Sequence, residues 1–253
     1  MKFNPYKSGS ALIYNRLKWD LKYESWKSRK KIKNLHNKYF GQKAVILCNG
    51  PSLLDVDFKL LENTYTFGLN KINLLFDKNT FRPSSIVSVN SYVIEQNKEF
   101  FNTTEIPIFL DSNSKRHITN KDCIFIHSAN IKEFSRTPNF SIYQGYTVTF
   151  VAMQLAYYFG FKEIALVGCD HNFVTKGKSN DAVVSESKDP NHFDENYFAG
   201  GVKWQLPDLF ESEISYQMAK DIFEEDNRKI FNCTNGGKLD VFERKSLKEF
   251  INK

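Results

Sequence analysis

The chain has 253 residues, of which 41% are hydrophobic, 15% aromatic and 25% charged, with 12 glycines, 7 prolines and 4 cysteines. This composition predicts a globular protein with a sizeable core and excludes a disordered, a collagen-like or a disulfide-rich chain. The net charge of +6 is uneven, because residues 1–40 carry eleven Lys or Arg against two acidic residues, a net of +9, whereas residues 41–253 carry 24 basic and 27 acidic residues, a net of −3.

The first forty residues form the first predicted element. Residues 10–39 contain no Gly or Pro and place Ile13, Leu17 and Leu21 four residues apart, beside aromatic residues and a run of lysines. This pattern predicts one long basic amphipathic helix, a unit at 1–40 that precedes the body at 41–253. Two interpretations are open: the helix binds anionic lipid headgroups at a membrane surface, or it packs on the body or on a partner chain.

Composition also bears on the protein's partners, its location and the state of its cysteines. The acidic body lacks the basic face of a nucleic-acid-binding domain, so we expect no nucleic-acid partner. No stretch is apolar enough to span a bilayer and the N-terminus lacks the apolar core of a signal peptide, so we expect a cytoplasmic protein, peripheral on the inner membrane face if the helix binds lipid. The four cysteines form no C-x-x-C pair, which predicts reduced core residues without a zinc site.

The body alternates strand and helix patterns. Seven β-branched runs lie at 44–48, 65–68, 85–89, 106–110, 123–126, 163–168 and 229–233, and helical patterns lie at 91–101, 147–159 and 207–226. This alternation predicts an α/β protein with a Rossmann-like, doubly wound and mainly parallel sheet. Residues 170–203 show no clear periodicity, and so long a loop predicts a lid-like cover over the site.

Polar residues follow the strands, where ligands of an open α/β sheet bind. After the first strand, we expect Gly50 to allow a tight turn, Pro51 to begin a helix, and the amides near Ser52 to face a phosphate. The other positions that share this placement are Asn49, Asn70, Asn90, Asp170 and His171, while Gln144 and Gly145 lie near the start of the helix that precedes the sixth strand. Such groups suit a nucleotide base, a ribose or a sugar, although each Asn alone is also a typical helix cap or turn residue.

Two further patterns bear on chemistry. Asp55 and Asp57 follow Ser52 closely, which favours a capping box over a metal-binding D-x-D pair. His192 lies in the lid-like loop among polar residues, so it is either a general base near neutral pH or an exposed loop histidine. The motifs of P-loop ATPases, dinucleotide dehydrogenases, serine hydrolases and zinc proteases do not occur.

These segments in their order resemble two related families. Residues 44–53, Asn70, Asn90 and above all 145–170 resemble the bacterial sialyltransferases of glycosyltransferase family 42. With residues 192–198 and 232–239 they look even more like the flagellin-glycosylating motility accessory factors, a family that also contains the MptE-like 6-hydroxymethylpterin diphosphokinases. The similarity spans about 43–245.

The sialyltransferase resemblance implies an inverting transfer of a nonulosonic acid from a CMP donor to a surface-glycan or protein acceptor, with no metal or other cofactor required. It implies the following contacts: Asn49 and Asn70 with the nucleotide phosphate and sugar, Asn90 with the donor glycosyl group, Gln144 and Gly145 with the donor or cytosine, and His192 as the base.

The chain also departs from that family. The tyrosines that stabilise the departing phosphate there are replaced here by His171, Asn172 and Phe173, so Tyr197 is the expected substitute if the loop folds back. A second hypothesis is a diphosphotransferase in which Asp170 and Asp194 hold Mg²⁺ against ATP phosphates. A third is a nucleotide-binding or scaffold protein without catalysis, and the sequence leaves the oligomeric state open.

Overall fold

A computed structural model describes residues 4–173, 178–185, 188–198 and 200–252. In these ranges the helices are α1 (Pro5–Asp20), α2 (Tyr23–Lys33), α3 (Ser91–Gln96), α4 (Lys98–Thr103), α5 (Val148–Phe159), α6 (Leu209–Glu225) and α7 (Leu247–Asn252). The strands are β1 (Lys43–Leu47), β2 (Tyr65–Leu69), β3 (Ser85–Ser88), β4 (Ile108–Asp111), β5 (Ile124–Ile126), β6 (Glu163–Val167), β7 (Ala182–Val184), β8 (Lys203–Gln205), β9 (Lys229–Asn232) and β10 (Glu243–Arg244). All seven strands expected from the sequence are present, as β1 to β6 and β9.

Eight of these strands form one parallel sheet in the order β10-β9-β6-β1-β2-β3-β4-β5. The central strand β1 pairs with β2 on one side and with β6 on the other, so that Ile46 lies opposite both Phe67 and Leu166. Parallel strands of this kind are covered on both faces and therefore consist of nearly continuous apolar runs. The predicted α/β fold with a mainly parallel sheet is confirmed.

The sheet separates two apolar layers. Ala44 and Ile46 of β1 point into the layer that contains α5, whereas Val45 and Leu47 point into the opposite layer. Helix α5 is buried along its whole length from Thr149 to Phe159, which explains why its sequence is apolar all round instead of amphipathic. The four cysteines are buried and free, as expected.

The prediction of one long N-terminal helix is wrong. The segment forms two helices, α1 and α2, separated by a break near Lys22. Trp19 of α1 and Ile32 of α2 are both buried against the body. Thirteen residues of a continuous helix, at about 100° each, would place these two side chains on nearly opposite faces. The break lets both pack, and Ser28 Oγ accepts a hydrogen bond from the Phe125 amide of β5 at 2.9 Å.

Several other segments also differ from expectation. The helical pattern at 91–101 forms two short helices that meet at Asn97. A helix does begin at Pro51 as expected, but it is a short 3-10 helix, Pro51–Asp55, and a second one follows at Phe58–Leu61. The lid-like loop at 170–203 contains β7, which forms an antiparallel hairpin with β8, while its residues 174–177, 186–187 and 199 lie outside the described ranges. Strand β10 and helix α7 were not expected from the sequence.

The chain order creates a reversal in the sheet. Strands β1 to β5 run outward in one direction, and the chain then returns so that β6 pairs on the free side of β1. The loops after β1 and β6 therefore diverge, and such a point at the carboxyl edge of a sheet is where ligands bind in open α/β folds. Within the described residues, no helix combines the length and apolarity needed to cross a membrane.

Candidate functional site

A cleft opens at the carboxyl edge of the sheet, where the loops after β1 and β6 diverge. Its inner part has a volume of about 150 Å³ and its outer part about 720 Å³. Asn70, Tyr146, Thr147 and His192 line both parts, so the two are continuous. Together they reach the size of a small-molecule site, which the inner part alone does not.

Most of the expected site residues lie in this cleft. The inner part contains Asn49, Gly50, Asp170 and His171. The outer part contains Asn90, Gln144, Gly145 and Tyr197. Pro51 and Ser52 line neither part, although both directly follow Gly50 in the chain.

The turn after β1 is built around the carboxylate of Asp170. Ser52 donates a hydrogen bond from its hydroxyl to Asp170 Oδ2 at 2.8 Å, and its amide lies 3.4 Å from the same oxygen. The expected phosphate turn is therefore already filled by a carboxylate, and Ser52 does not form the expected capping box. Asp57 does cap a turn, accepting from the Lys59 amide at the start of the second 3-10 helix.

Gly50 is needed here for a reason other than the expected one. Its φ of −70° is open to any residue, but a Cβ at this position would lie 1.9 Å from Asp170 Oδ2 and 2.7 Å from the Gly168 carbonyl oxygen. The close approach of two strand-end loops, not a tight turn, excludes a larger side chain. Asn49 beside it is buried, and its Oδ1 has no hydrogen-bond partner among the described residues.

The amino end of α5 faces the inner cleft. Thr147 caps the helix by accepting from the Thr149 amide at 3.3 Å, and its hydroxyl lies 3.3 Å from that of Tyr216. Gly145 and Tyr146 precede it in the left-handed region, with φ of 59° and 61°. A Cβ on Gly145 would lie 2.4 Å from the Phe150 ring, so this bend requires glycine. The positive end of the α5 dipole makes this part of the cleft suitable for an anionic group.

The side chains of Asn90 and Asn70, which follow β3 and β2, make different hydrogen bonds. Asn90 caps α3 by accepting from the Tyr92 and Val93 amides, so the capping interpretation holds for its Oδ1. Its Nδ2 lies 3.4 Å from Gln205 Oε1 in the outer cleft. Asn70 has a left-handed φ of 50° and accepts from the Ser88 hydroxyl at 3.0 Å.

A buried carboxylate in the outer cleft was missed by the sequence analysis. Asp111 ends β4, accepts a short hydrogen bond from the Ser128 hydroxyl, and lies 3.3 Å from Gln144 Nε2. Gln144 also donates to the Ser128 hydroxyl oxygen at 2.8 Å. The rule that polar residues directly after a strand mark the site applies to Asp111 as it stands, because Asp111 directly follows the strand predicted at 106–110.

His192, which lines the cleft, pairs with the buried carboxylate of Asp189 behind it. His192 Nδ1 lies 2.7 Å from Asp189 Oδ2, and the Asp189 side chain is only 4% exposed. The other Asp189 oxygen accepts from the Asn191 amide at 2.8 Å. The imidazole stacks on the Tyr197 ring, with centroids 4.0 Å apart and planes 3° from parallel. A carboxylate on Nδ1 favours the tautomer whose Nε2 carries a lone pair, which is the form that a general base needs.

Tyr197 does not fit its expected contact with a leaving phosphate. The loop does fold back, but Tyr197 is 1% exposed, and its hydroxyl accepts from the Lys71 amide and hydrogen-bonds the Asn70 side chain. Burial raises the pKa of this phenol. Its ring therefore supports His192, while its hydroxyl fixes the loop to the end of β2.

Lys71 is a buried lysine behind this ring that the sequence analysis also missed. Its Nζ donates to the Tyr197 carbonyl oxygen at 2.5 Å and to Gln96 Oε1 at 2.8 Å. Gln96 Nε2 in turn donates to the Lys203 carbonyl oxygen at 2.8 Å. Burial lowers the pKa of Lys71 to about 8, although the charge of Asp189 opposes this effect. The C-terminal part of the loop over the cleft is thus held at two points, Tyr197 and Lys203, by one side-chain network.

His171 has a different environment from His192. Its φ is 51°, a left-handed conformation that is uncommon outside glycine, and its Nε2 lies 2.9 Å from Glu213 Oε1 of α6. The Glu213 side chain is 48% exposed to solvent. His171 lines the inner cleft close to Asp170, as expected, but its Nε2 is occupied by Glu213.

The aspartates that the diphosphotransferase hypothesis assigns to Mg²⁺ do not come together. Asp194 forms an ion pair with Lys78 at 2.6 Å and lines neither part of the cleft. Burial opposes ionisation of Asp194, but the Lys78 hydrogen bond and charge and the Asn196 amide hold its pKa below the usual range. The described residues contain no group of three or more His, Cys, Asp or Glu arranged to hold a metal ion.

Two comparisons with known proteins bear on this site. A family model described as 6-hydroxymethylpterin diphosphokinase MptE-like matches residues 21–176, about three-fifths of the chain. The match covers α2, strands β1 to β6 and the loops that follow β1 and β6, whereas Asp189, His192 and α6 lie beyond it. It supports the second of the two expected resemblances. No curated protein matches the chain. The resemblance to sialyltransferases stays a prediction.

Proposed function

The chain belongs to the 6-hydroxymethylpterin diphosphokinase MptE-like family, a transferase family, and from this premise we propose that it is a glycosyltransferase. The donor is a nucleotide sugar, for which we propose a CMP-activated nonulosonic acid, and the acceptor is a hydroxyl of a surface glycan or a protein. One observation carries the proposal: a histidine held by a buried aspartate faces a cleft at the reversal point of the sheet.

The proposed chemistry begins with the acceptor hydroxyl. His192 takes its proton at Nε2 while the acceptor oxygen bonds to the anomeric carbon of the donor, and the bond from that carbon to the CMP phosphate oxygen breaks. The electron pair leaves with CMP, and the proton remains on the imidazole. Asp189, 2.7 Å from Nδ1, stabilises the imidazolium that forms, as an orienting carboxylate does in other His-dependent transfers.

The charge of the cleft supports a donor with a single phosphate. Among the described residues that line its two parts, Lys132 carries the one fixed positive charge, whereas Asp111 and Asp170 carry negative charges. Lys132 is itself paired with Glu211 at 3.0 Å. A single phosphate suits the amino end of α5, whereas the triphosphate of ATP needs several cations to neutralise it.

The family description favours one second candidate, a diphosphotransferase that uses ATP and Mg²⁺. His192 would serve there as well, because that reaction also requires a deprotonated hydroxyl. The residues do not fit the expected metal pair, since Asp194 is bound to Lys78 outside the cleft. We therefore derive no step through a metal and keep this reaction as the alternative outcome of the test.

The test combines ligand binding with turnover. Thermal shifts with CMP, CDP, UDP, GDP and ATP, each with and without Mg²⁺, identify the nucleotide, because a ligand that binds only the folded state raises the melting temperature. The corresponding nucleotide sugar is then incubated with short oligosaccharide acceptors, and nucleotide release is measured for the native chain and His192→Ala. Loss of a general base typically slows the reaction about 10²- to 10⁴-fold with little change in donor affinity.

Two matched variants make the result specific. Asp194→Asn changes a second buried carboxylate of the same loop that lies outside the cleft, so its turnover should stay near that of the native chain. His171→Ala should weaken nucleotide binding instead. Stabilisation by ATP with Mg²⁺ alone would favour the diphosphotransferase, and binding without any turnover of nucleotide sugars or ATP would favour a scaffold protein.

A further inference from the structure

The exposed face of α1 is apolar, although the helix already packs on the body through Trp19. Tyr6, Ile13, Leu17 and Leu21 are 89%, 63%, 52% and 85% exposed. Their spacings of seven and four residues place them on one side of the helix, about 120° to 160° away from the side that carries Trp19. The amphipathic stripe noted in the sequence therefore faces solvent and not the core.

Helix α2 continues this surface with aromatic and basic residues. Tyr23 and Trp26 are more than 60% exposed, and their rings lie 6.2 Å apart. Lys30 Nζ lies 5.5 Å from the Trp26 ring. The opposite side of α2, which carries Ser28 and Ile32, is buried against the body. We call the exposed side of these two helices the N-terminal surface.

The charge of the N-terminal surface is positive and uncompensated. Its two acidic residues are already paired, Asp20 with Arg16 and Arg29, and Glu24 with Lys115. No ion pair to an acidic side chain occurs, in the part of the chain that the structure describes, for these lysines: Lys7, Lys18, Lys22, Lys30 and Lys33. A partner for this surface must therefore present both negative charge and an apolar layer.

We propose that the N-terminal surface binds the headgroup region of an anionic lipid bilayer. The apolar stripe enters the boundary between headgroups and acyl chains, Tyr23 and Trp26 lie at the interface, and the lysines contact the lipid phosphates. A second copy of the chain fits poorly, because pairing the same surface would bring lysine against lysine. A nucleic acid would leave the apolar stripe unmatched. The two helices pack at the β5 edge of the sheet and contribute no residue to the cleft. The proposal therefore does not depend on which reaction the cleft catalyses.

The experiment measures co-sedimentation of the full chain with vesicles of phosphatidylcholine alone and with about 30% phosphatidylglycerol. We expect binding to the anionic vesicles that weakens as salt rises from about 50 to about 500 mM, because salt screens the lysines. Lys7→Gln, Lys18→Gln and Lys30→Gln together should lower the partition coefficient roughly 100-fold, at about fivefold per lysine. The matched control is Lys59→Gln, Lys98→Gln and Lys248→Gln, three exposed body lysines, whose loss should change binding by less than about threefold.

A second variant tests the apolar stripe separately. Ile13→Gln with Leu17→Gln should lower binding at least about tenfold without lowering the melting temperature, because both side chains are exposed. Equal binding to neutral and anionic vesicles, or an equal loss in both lysine triples, would overturn the proposal. A dimer in sedimentation that Ile13→Gln and Leu17→Gln abolish, together with no vesicle binding, would assign the surface to self-association instead, and capture only by an acidic protein would equally refute a lipid partner.

Discussion

The carboxylate of Asp189 tests the candidate site most directly, because it acts on the reaction only through His192. In Asp189→Asn the side chain keeps its shape but has a single acceptor oxygen. In the native chain one oxygen accepts from the Asn191 amide and the other faces His192 Nδ1. The amide oxygen of the variant can serve only one of these groups, so either the loop turn loses its hydrogen bond or the amide NH₂ faces the imidazole.

The second arrangement inactivates the base. An NH₂ group opposite Nδ1 requires an unprotonated Nδ1 and therefore places the proton on Nε2, which then has no lone pair for the acceptor hydroxyl. The native contact is short and nearly free of solvent, and hydrogen bonds to charged groups contribute about 1.5–3 kcal/mol. That range corresponds to a reaction about 10- to 150-fold slower, less than the loss expected for His192→Ala because the Tyr197 ring still holds the imidazole in place.

The assay is nucleotide release from the nucleotide sugar that the binding panel identifies. We expect kcat to fall for Asp189→Asn while the donor Kd is unchanged, since the carboxylate does not line the cleft. Asp194→Asn is the control for the loss of a buried loop carboxylate. The reasoning is wrong if Asp189→Asn turns over at the native rate while His192→Ala is inactive, or if Asp194→Asn loses as much activity as Asp189→Asn.

Three further predictions follow from other contacts. Gly50→Ala should lower the free energy of unfolding by about 3–5 kcal/mol, since the added Cβ displaces Asp170 from Ser52 and crowds the loop; an unchanged melting temperature would contradict this. The folded pKa of Lys71, about 8, lies below the unfolded value near 10.4, so the unfolded chain binds more protons in between. The free energy of unfolding should therefore rise between about pH 8 and 10.4, by up to about 1.4 kcal/mol per pH unit, and this rise should be absent in Lys71→Met. The same pH dependence of the free energy of unfolding in both proteins, measured by urea unfolding, would refute it. Glycosyl transfer should survive EDTA, whereas complete and reversible loss of turnover on chelation would favour the diphosphotransferase.

The sequence predicted the sheet and the general place of the site because both depend on local patterns. Apolar runs such as 44–48 and 163–168 are the signature of strands covered on both faces, and residues that follow such strands meet at one edge of a parallel sheet. Asn49 and Asp170, which follow strands, therefore lie in the cleft as expected. Gln144, before the helix at 147–159, and His192, in the long loop, lie there as well. The break between α1 and α2 was not predictable in this way, because it depends on which side chains the β5 edge of the body can bury.

The contacts that define the candidate base were decided by the tertiary structure alone. Asp189 and His192 are three residues apart in a segment without periodicity, and only the folded loop stacks the imidazole on Tyr197 and ties that tyrosine to Lys71, 126 residues earlier in the chain. The same holds for Gly50: its sequence context suggested a turn, but the residue that it closely approaches, Asp170, lies 120 residues later in the chain. Periodicity and propensity record which face of a segment is buried, so the sequence by itself determined the layers of this protein. Which polar side chains meet across the edge of the sheet depends on how loops from distant strands cross it, and only the tertiary structure specifies that.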